Sequence, residues 1–255
     1  MKPSRLCFAL YSSRNFWPLE PQLGVLKEMG YDSVEPWWPA YGDDPKAFRK
    51  MVDAAGLAAP VAHMSVAGIV NETERFIDIA GTIGATLMVC PWLPPDERGT
   101  TADDWKRLGA AIAKAGAKAR EAGRKVLWHN HDFEYSRLPD GSRPIDHLLA
   151  AAGDEVGFEI DCAWVVRGGA DVAAELTRYG RRIDAIQVKD TAPPGTRAEE
   201  GWVATGDGIV PWKEIWPLFA RTNSDLIIME HDNPADWQKF ARRSLDYARK
   251  MQAAD

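Results

Sequence analysis

The sequence predicts an α/β fold, a (β/α)8 TIM barrel formed as a single domain over residues 1–255, and three observations carry that prediction. Short β-rich runs alternate with helical segments along the whole chain. Dividing the length by eight gives about 32 residues per unit, a usual size for a strand-plus-helix repeat. Polar, chemistry-bearing residues gather where the strands end, which is the end at which such barrels carry their loops and their chemistry.

Taken in order, the predicted strands are RLCFALY (5–11), YDSVEPW (31–37), LAAPVAHM (57–64), TLMVCPW (86–92), KVLWHNH (125–131), VGFEIDCAW (156–164), RIDAIQVKD (182–190) and LIIMEHD (226–232). Each is short, apolar and bounded by turn residues, the pattern of strands covered on both faces. Helices are predicted between them, among them PQLGVLKEMG (21–30), the segment from Thr101 to Gly123 and PADWQKFARRSLDYARKMQ (234–252). In the second of these Thr101 can cap the start, Asp103 and Asp104 suit the positive end of the helix dipole, and Gly123 can end it. The longest loop signal, residues 191–212, is long enough for a lid, and its Gly-Asp-Gly at 206–208 reads as a tight turn rather than a phosphate loop. No linker or composition shift marks a domain boundary.

Composition narrows the partners. With 45% apolar and 27% charged residues the chain has ample material for a core. A net charge of -6 offers no basic field for a phosphate backbone, so nucleic acid is not an expected partner. The apolar run near the start is short and soon broken by Ser, Arg, Asn and Pro, so neither a leader nor a membrane span is expected and the expected location is cytoplasmic. Cys7, Cys90 and Cys162 lie far apart in apolar runs without metal or redox spacing and read as buried strand thiols. Eleven tryptophans are many for this length. Trp37, Trp38, Trp92, Trp128 and Trp164 fall near strand ends and read as the wall of a pocket, whereas Trp105, Trp212, Trp216 and Trp237 read as helix-barrel packing.

The strand ends carry Glu35, His63, His129, His131, Glu159, Asp161, Gln187, Lys189, Glu230 and His231. Alternation along a strand puts His129 with His131, Glu159 with Asp161, and Gln187 with Lys189 on shared faces. If those faces point inward the groups converge, and several buried carboxylates then call for a compensating cation such as a bound divalent metal. Taken singly, an Asp after a strand is more often a helix cap. Lys189 serves equally well as neutraliser of Asp161 or Glu159 or as a direct substrate contact. His147, in a helical segment, reads as a surface or packing residue.

In order and spacing, GYDSVEPW, HNHDFEY, EIDCAW with GGAD, QVKD, GDGIVPWKEI and IIMEHD make the chain resemble the xylose isomerase-like barrels, the group of sugar and sugar-phosphate isomerases and epimerases. The resemblance spans nearly the whole chain. It implies one divalent metal held by a strand-five group, Asp161, Gln187 and Glu230, with Glu134 as the strand-five ligand and His131 or His129 in competition for that role. Two departures stand out: Gln187 occupies a place where the family often has histidine, and His129 one where many isomerases have glutamate. An oxygen-rich set favours Mn2+ or Mg2+.

The expected substrate is a small sugar or polyol derivative, with homo-oligomerisation left open. The expected activity is isomerisation or epimerisation through an enediolate, with His129, His131 or Glu230 as base, Lys189 stabilising the oxyanion, and Glu35, Trp37, His63 and Trp164 binding substrate. The alternative is a lyase that eliminates a β-substituent from the same enediolate, as keto-inositol and dehydroshikimate dehydratases of related barrels do. A DNA-repair endonuclease, with its many zinc-binding histidines, is disfavoured by the five histidines and negative charge. A non-catalytic sugar-binding barrel is disfavoured by the convergent acid and base groups.

Overall fold

A computed structural model describes residues 5–254. Eight parallel strands follow one another around the barrel: β1 (Arg5–Ala9), β2 (Ser33–Glu35), β3 (Val61–His63), β4 (Leu87–Cys90), β5 (Lys125–His129), β6 (Val156–Asp161), β7 (Ile183–Gln187) and β8 (Leu226–Met229). β8 returns to pair with β1, from Arg5 opposite Leu226 to Phe8 opposite Met229. The seam between β2 and β3 carries a single bridge, Ser33 to Ala58, reinforced by Val34 N–H to Ala58 O at 2.8 Å and His63 N–H to Pro36 O at 2.9 Å. The barrel is therefore nearly closed, and the predicted fold is the observed one.

Alternation divides the strand side chains between two cores. Cys7, Ala9, Val61, Val89, Leu127, Ala185, Leu226 and Ile228 pack together inside the barrel. The other set, including Phe8, Val126, Trp128, Phe158 and Ile186, packs outward against the helices, where Trp105, Trp212, Trp216 and Trp237 join it as expected. The rule holds through β6 and β7 because of an irregularity: Phe158 pairs with Ile183 but Glu159 with Ala185, so β7 takes one extra residue and Gln187 comes to stand opposite Asp161.

The predicted strands run too long at their C-terminal ends. β1 stops at Ala9 and turns through a 3-10 segment, Leu10–Ser13, and β6 stops at Asp161, where a helix, Cys162–Arg167, begins. Apolar residues continue in both places because the segments beyond the strands are also buried. Cys162 is accordingly a helix residue, although all three thiols are free and buried as expected.

The helix Ala102–Glu121 has the predicted start, with the Thr101 hydroxyl accepting from Asp104 N–H and Asp104 accepting from Thr101 N–H at 2.9 Å. Gly109 and Gly116 lie mid-helix where a neighbouring segment presses close. A Cβ there would come within 2.3 Å of the Leu148 carbonyl oxygen and 2.5 Å of that of Glu155.

The long loop expected as a lid is pinned over much of its length. Its start pairs with itself as a two-stranded ribbon, Asp190–Thr191 against Trp202–Val203. The Asp190 carboxylate accepts from the backbone of Gly206, Gly208 and Val210 and from the Trp212 indole at 2.7 Å. That hub makes the Gly-Asp-Gly the tight turn the sequence suggests. Among the described residues no helix is long and apolar enough to cross a membrane.

Candidate functional site

The C-terminal rim of the barrel carries a buried ionisable layer directly above the small residues of the inner core. Glu35, His63, His129, Asp161 and Gln187 occupy the last inward positions of their strands, Glu159 lies one inward position before Asp161, and Glu230 follows β8. The layer falls into two parts.

In the first, His63 Nε2 lies 3.0 Å from Glu159 Oε1 and 3.3 Å from Glu35 Oε1. Gln187 donates from Nε2 to Glu35 at 2.9 Å and to Glu159 at 3.2 Å. Burial alone would discharge the His63 imidazolium, but the two carboxylates outweigh it and hold the group well above its ordinary value. Burial, with the Glu159 charge, pushes Glu35 up to about 7.

In the second part, one donor atom each from His129, Asp161 and Glu230 lies within 4.8 Å of the others. Asp161 does two jobs. Its Oδ1 accepts from Trp164 N–H at 2.8 Å and caps the following helix, as a lone Asp there usually does, while its Oδ2 is buried without a partner. Glu230 Oε2 is likewise buried and bare, and His129 Nδ1 lies 3.1 Å from Glu159 Oε1 but out of line for a hydrogen bond. Burial raises Asp161 well above the ordinary carboxylate range and Glu230 to about 7, against the pull of Lys189 in both cases. Buried carboxylates with unpartnered oxygens beside a discharged imidazole fit a divalent cation, whose charge would reverse these shifts. Gln187, which stands opposite Asp161 in the register, also has a buried Oε1 without a partner. Asn130 locks the geometry: its amide donates to Asp161 O at 3.2 Å and accepts from Asp161 N–H at 2.9 Å, extending the β5–β6 pairing past the strand end.

A cavity of about 780 Å3 opens over this rim. His63, His129, His131, Glu230 and Asp232 face it, and Trp37, Trp38, Trp92 and Trp164 wall it. Burial holds the His131 imidazole well below its ordinary value; it packs 4.9 Å from the Trp164 ring and makes no ion pair among the described residues.

Several expected site residues sit elsewhere. Glu134 was expected on the metal, but the chain leaves β5 into a 3-10 turn, Phe133–Tyr135, and the carboxylate faces back into the barrel wall. There it accepts from Trp128 Nε1 at 3.1 Å and His131 N–H at 2.8 Å, so it shapes the base of the His131 loop. Trp128 is not part of the pocket wall: with His129 pointing inward, its neighbour must point outward. Glu35 lies behind His63 and does not line the cavity. Lys189 is fully buried, bonded to Asp232 at 2.6 Å and 4.0 Å from Glu230; it makes no ion pair with Asp161 or Glu159, although its charge still favours the ionised form of Asp161. His147 is half-buried on Ser142 at 2.7 Å, a packing residue. Glu159, noted at the strand end without a role, Asn130, Asp232 and the cavity-facing Glu200 were missed. The register opposite His129 could have flagged Glu159.

Comparison with known proteins agrees with this fold. The family described as xylose isomerase-like TIM barrel matches residues 23–251. An inosose dehydratase of Lacticaseibacillus casei is 26% identical over 246 residues, covering 81% of this chain and 82% of that protein. A sugar phosphate isomerase/epimerase of Parabacteroides distasonis has the same fold, with a TM-score of 0.79 at 21% identity over 97% of this chain and 94% of that one. The IolI protein, solved with a bound zinc atom, superposes with a TM-score of 0.79 at 16% identity over 98% of both chains. At these identities the two structures speak for the fold alone. Relatives matched by sequence, in Lacticaseibacillus casei and Klebsiella pneumoniae, are named inosose dehydratases, and they overturn the expectation of an isomerase or epimerase.

Proposed function

Because the chain belongs to the xylose isomerase-like TIM barrel family, we propose that it is a divalent-metal-dependent dehydratase, a lyase that removes water from a polyhydroxylated ketone of the keto-inositol class. The observation that carries this reading is the unlike setting of two cavity-facing imidazoles. His63 is bracketed by two carboxylates at 3.0 and 3.3 Å, whereas His131 lies among aromatic rings without an ion pair. Two titratable groups driven apart by their surroundings make an acid and a base. Elimination needs one of each, whereas epimerisation needs a base on both faces of the carbon.

In the proposed reaction His131 accepts the proton from the carbon next to the carbonyl. The C–H electron pair passes into the carbonyl to give an enediolate, then returns to form a carbon–carbon double bond as the β C–O bond breaks. The departing hydroxyl takes a proton from His63 and leaves as water. A divalent ion held by His129, Asp161 and Glu230, with Gln187 Oε1 beside them, would supply positive charge for the oxygens of the enediolate. Glu35 and Glu159 keep His63 charged and oriented, Lys189 holds Asp232 at the cavity wall, and the tryptophans cover the apolar faces of the ring. One imidazole with carboxylate and amide oxygens suits Mn2+ or Mg2+, and zinc is the competing ion.

The test is to incubate the purified protein, reconstituted with each metal in turn, with 2-keto-myo-inositol in D2O. A dehydratase releases one water per turnover and gives an unsaturated product absorbing in the ultraviolet. Solvent deuterium in the recovered substrate with no loss of water, from every metal form, would overturn the reading.

A further inference from the structure

The pinned loop contains one strained turn. Glu199 (φ 48°) and Glu200 (φ 59°) are the only non-glycine residues with positive φ among those described, and Gly201 (φ 77°) follows them. Left-handed geometry is strained for a non-glycine residue, and surrounding structure must hold it.

Here the hold is explicit. The Arg167 guanidinium donates to the Glu200 carbonyl at 2.8 Å and to Thr191 Oγ1 at 3.0 Å, and lies 3.0 Å from the centre of the Trp202 ring. Gly201 O accepts from Ala192 N–H at 2.8 Å. The Glu199 carboxylate is tied across to the β8 loop, accepting from Ala235 N–H at 2.6 Å and lying 3.4 Å from His231 Nε2. With Glu199 fastened, the turn sets Glu200 among the residues that line the cavity mouth, exposed to solvent, and its side chain makes no hydrogen bond or ion pair among the described residues. A glycine would take this backbone without strain, so the side chain is the part that the strain maintains.

The charge of the wall points the same way. Three cations line the cavity, and each is engaged: His63 lies between Glu35 and Glu159, Arg14 donates to the carbonyls of Tyr11 and Asp232, and Arg98 donates to Leu93 O and stacks 3.7 Å over Phe133. Five carboxylates, those of Glu97, Asp132, Glu200, Glu230 and Asp232, face the same space. Away from the proposed metal site, a phosphate ester would meet the carboxylates of Glu97, Asp132 and Glu200 with no disengaged guanidinium to receive it.

We propose that Glu200 is a specificity-determining residue: held in place by the Arg167 and Glu199 clamps, its carboxylate accepts hydrogen bonds from adjacent hydroxyls of the substrate and makes the cavity select an uncharged polyhydroxy ketone over its phosphate esters. This rests on the dehydratase reading for the ketone, and on the cavity alone for the choice of charge.

Isothermal titration of the metal-loaded protein with 2-keto-myo-inositol and with myo-inositol 1-phosphate tests it, alongside KM and kcat for the ketone. Wild type binds the ketone and rejects the phosphate. Glu200→Gln weakens the ketone roughly 10- to 100-fold, the loss of a charge-assisted hydrogen bond, and the effect falls on KM more than on kcat. Glu200→Gly raises the melting temperature by relaxing the turn and loses the same affinity, which separates the carboxylate from any structural role. Glu200→Arg gains phosphate binding. Ketone affinity within about twofold of wild type in Glu200→Gln, or wild type preferring the phosphate, overturns the proposal. Glu200-dependent ketone binding without release of water would sink the dehydratase reading and leave this inference standing.

Discussion

The two parts of the barrel rim are built from the same residue types at the same depth, and they balance their charge differently. Glu35 and Glu159 have their cation at hand, since His63 lies within 3.0 to 3.3 Å of both and Gln187 donates to both. Asp161 and Glu230 have none of their own: the nearest ammonium, that of Lys189, is 4.0 Å from Glu230 and committed to Asp232. Two buried carboxylates with bare oxygens cannot both stay ionised unless positive charge arrives from outside the chain. On the proposed reading this difference divides the roles, the first part moving a proton and the second holding a metal.

The largest expected effect follows from that assignment. Asp161→Asn or Glu230→Gln should lower metal affinity by more than about 100-fold, the upper range for residues that merely orient ligands, and abolish activity with it. Elemental analysis and metal titration read this directly. Glu159→Gln should keep the metal. If Asp161→Asn retains its ion while Glu159→Gln loses it, the ion sits in the other part of the rim, with His63, His129 and Glu159, the alternative trio.

The converse substitution sharpens the comparison from the other side. His63→Gln should retain metal and still bind the ketone, yet slow elimination roughly 10²- to 10⁴-fold, the usual contribution of a positioned acid or base. Normal turnover in this variant would move the acid away from His63.

Much of this arrangement was legible in the sequence because alternation is a strict rule. The eight strands and the inward positions of His129, Glu159, Asp161 and Gln187 follow from a period of two and from the rise in polarity at the strand ends. Trp128 could have been placed by the same rule, since the residue before an inward His129 must face the helices. Other features depend on partners far along the chain. The extra residue in β7 is defined only by its pairing with Phe158 and Glu159. Lys189 could take any of several carboxylates, and only the folded loop after β8 brings Asp232 to it. Glu134 lies three residues beyond His131, within reach of the rim on paper, and only the direction of the turn at Phe133–Tyr135 sends it into the wall. The left-handed backbone of Glu199 and Glu200 leaves no mark in the sequence, where glycine or asparagine would have been the signal.

Glu134 provides the mildest test, because it is a buried carboxylate with neither an imidazolium nor a convergent partner carboxylate. Burial pushes it from 4.5 up to about 8, outweighing the N–H bonds from His131 and Trp128 that favour the ionised form. An acid raised in this way contributes stability that is fully present below about pH 4.5 and is lost as pH climbs through about 8, because the unfolded chain ionises first. Glu134→Gln removes the titration and keeps one acceptor oxygen for two donors. At pH 5 the variant should be less stable by about 1–3 kcal/mol, the cost of a buried N–H left unpaired. The gap should narrow steadily toward pH 8 as the parent loses its advantage. Urea unfolding of both proteins at fixed metal content across this range measures the gap. A gap that widens with pH would mean that the two N–H groups already hold Glu134 ionised. Two backbone-scale donors would then suffice to stabilise a buried carboxylate in this wall, and the bare oxygens of Asp161 and Glu230 would differ from it only in lacking such donors.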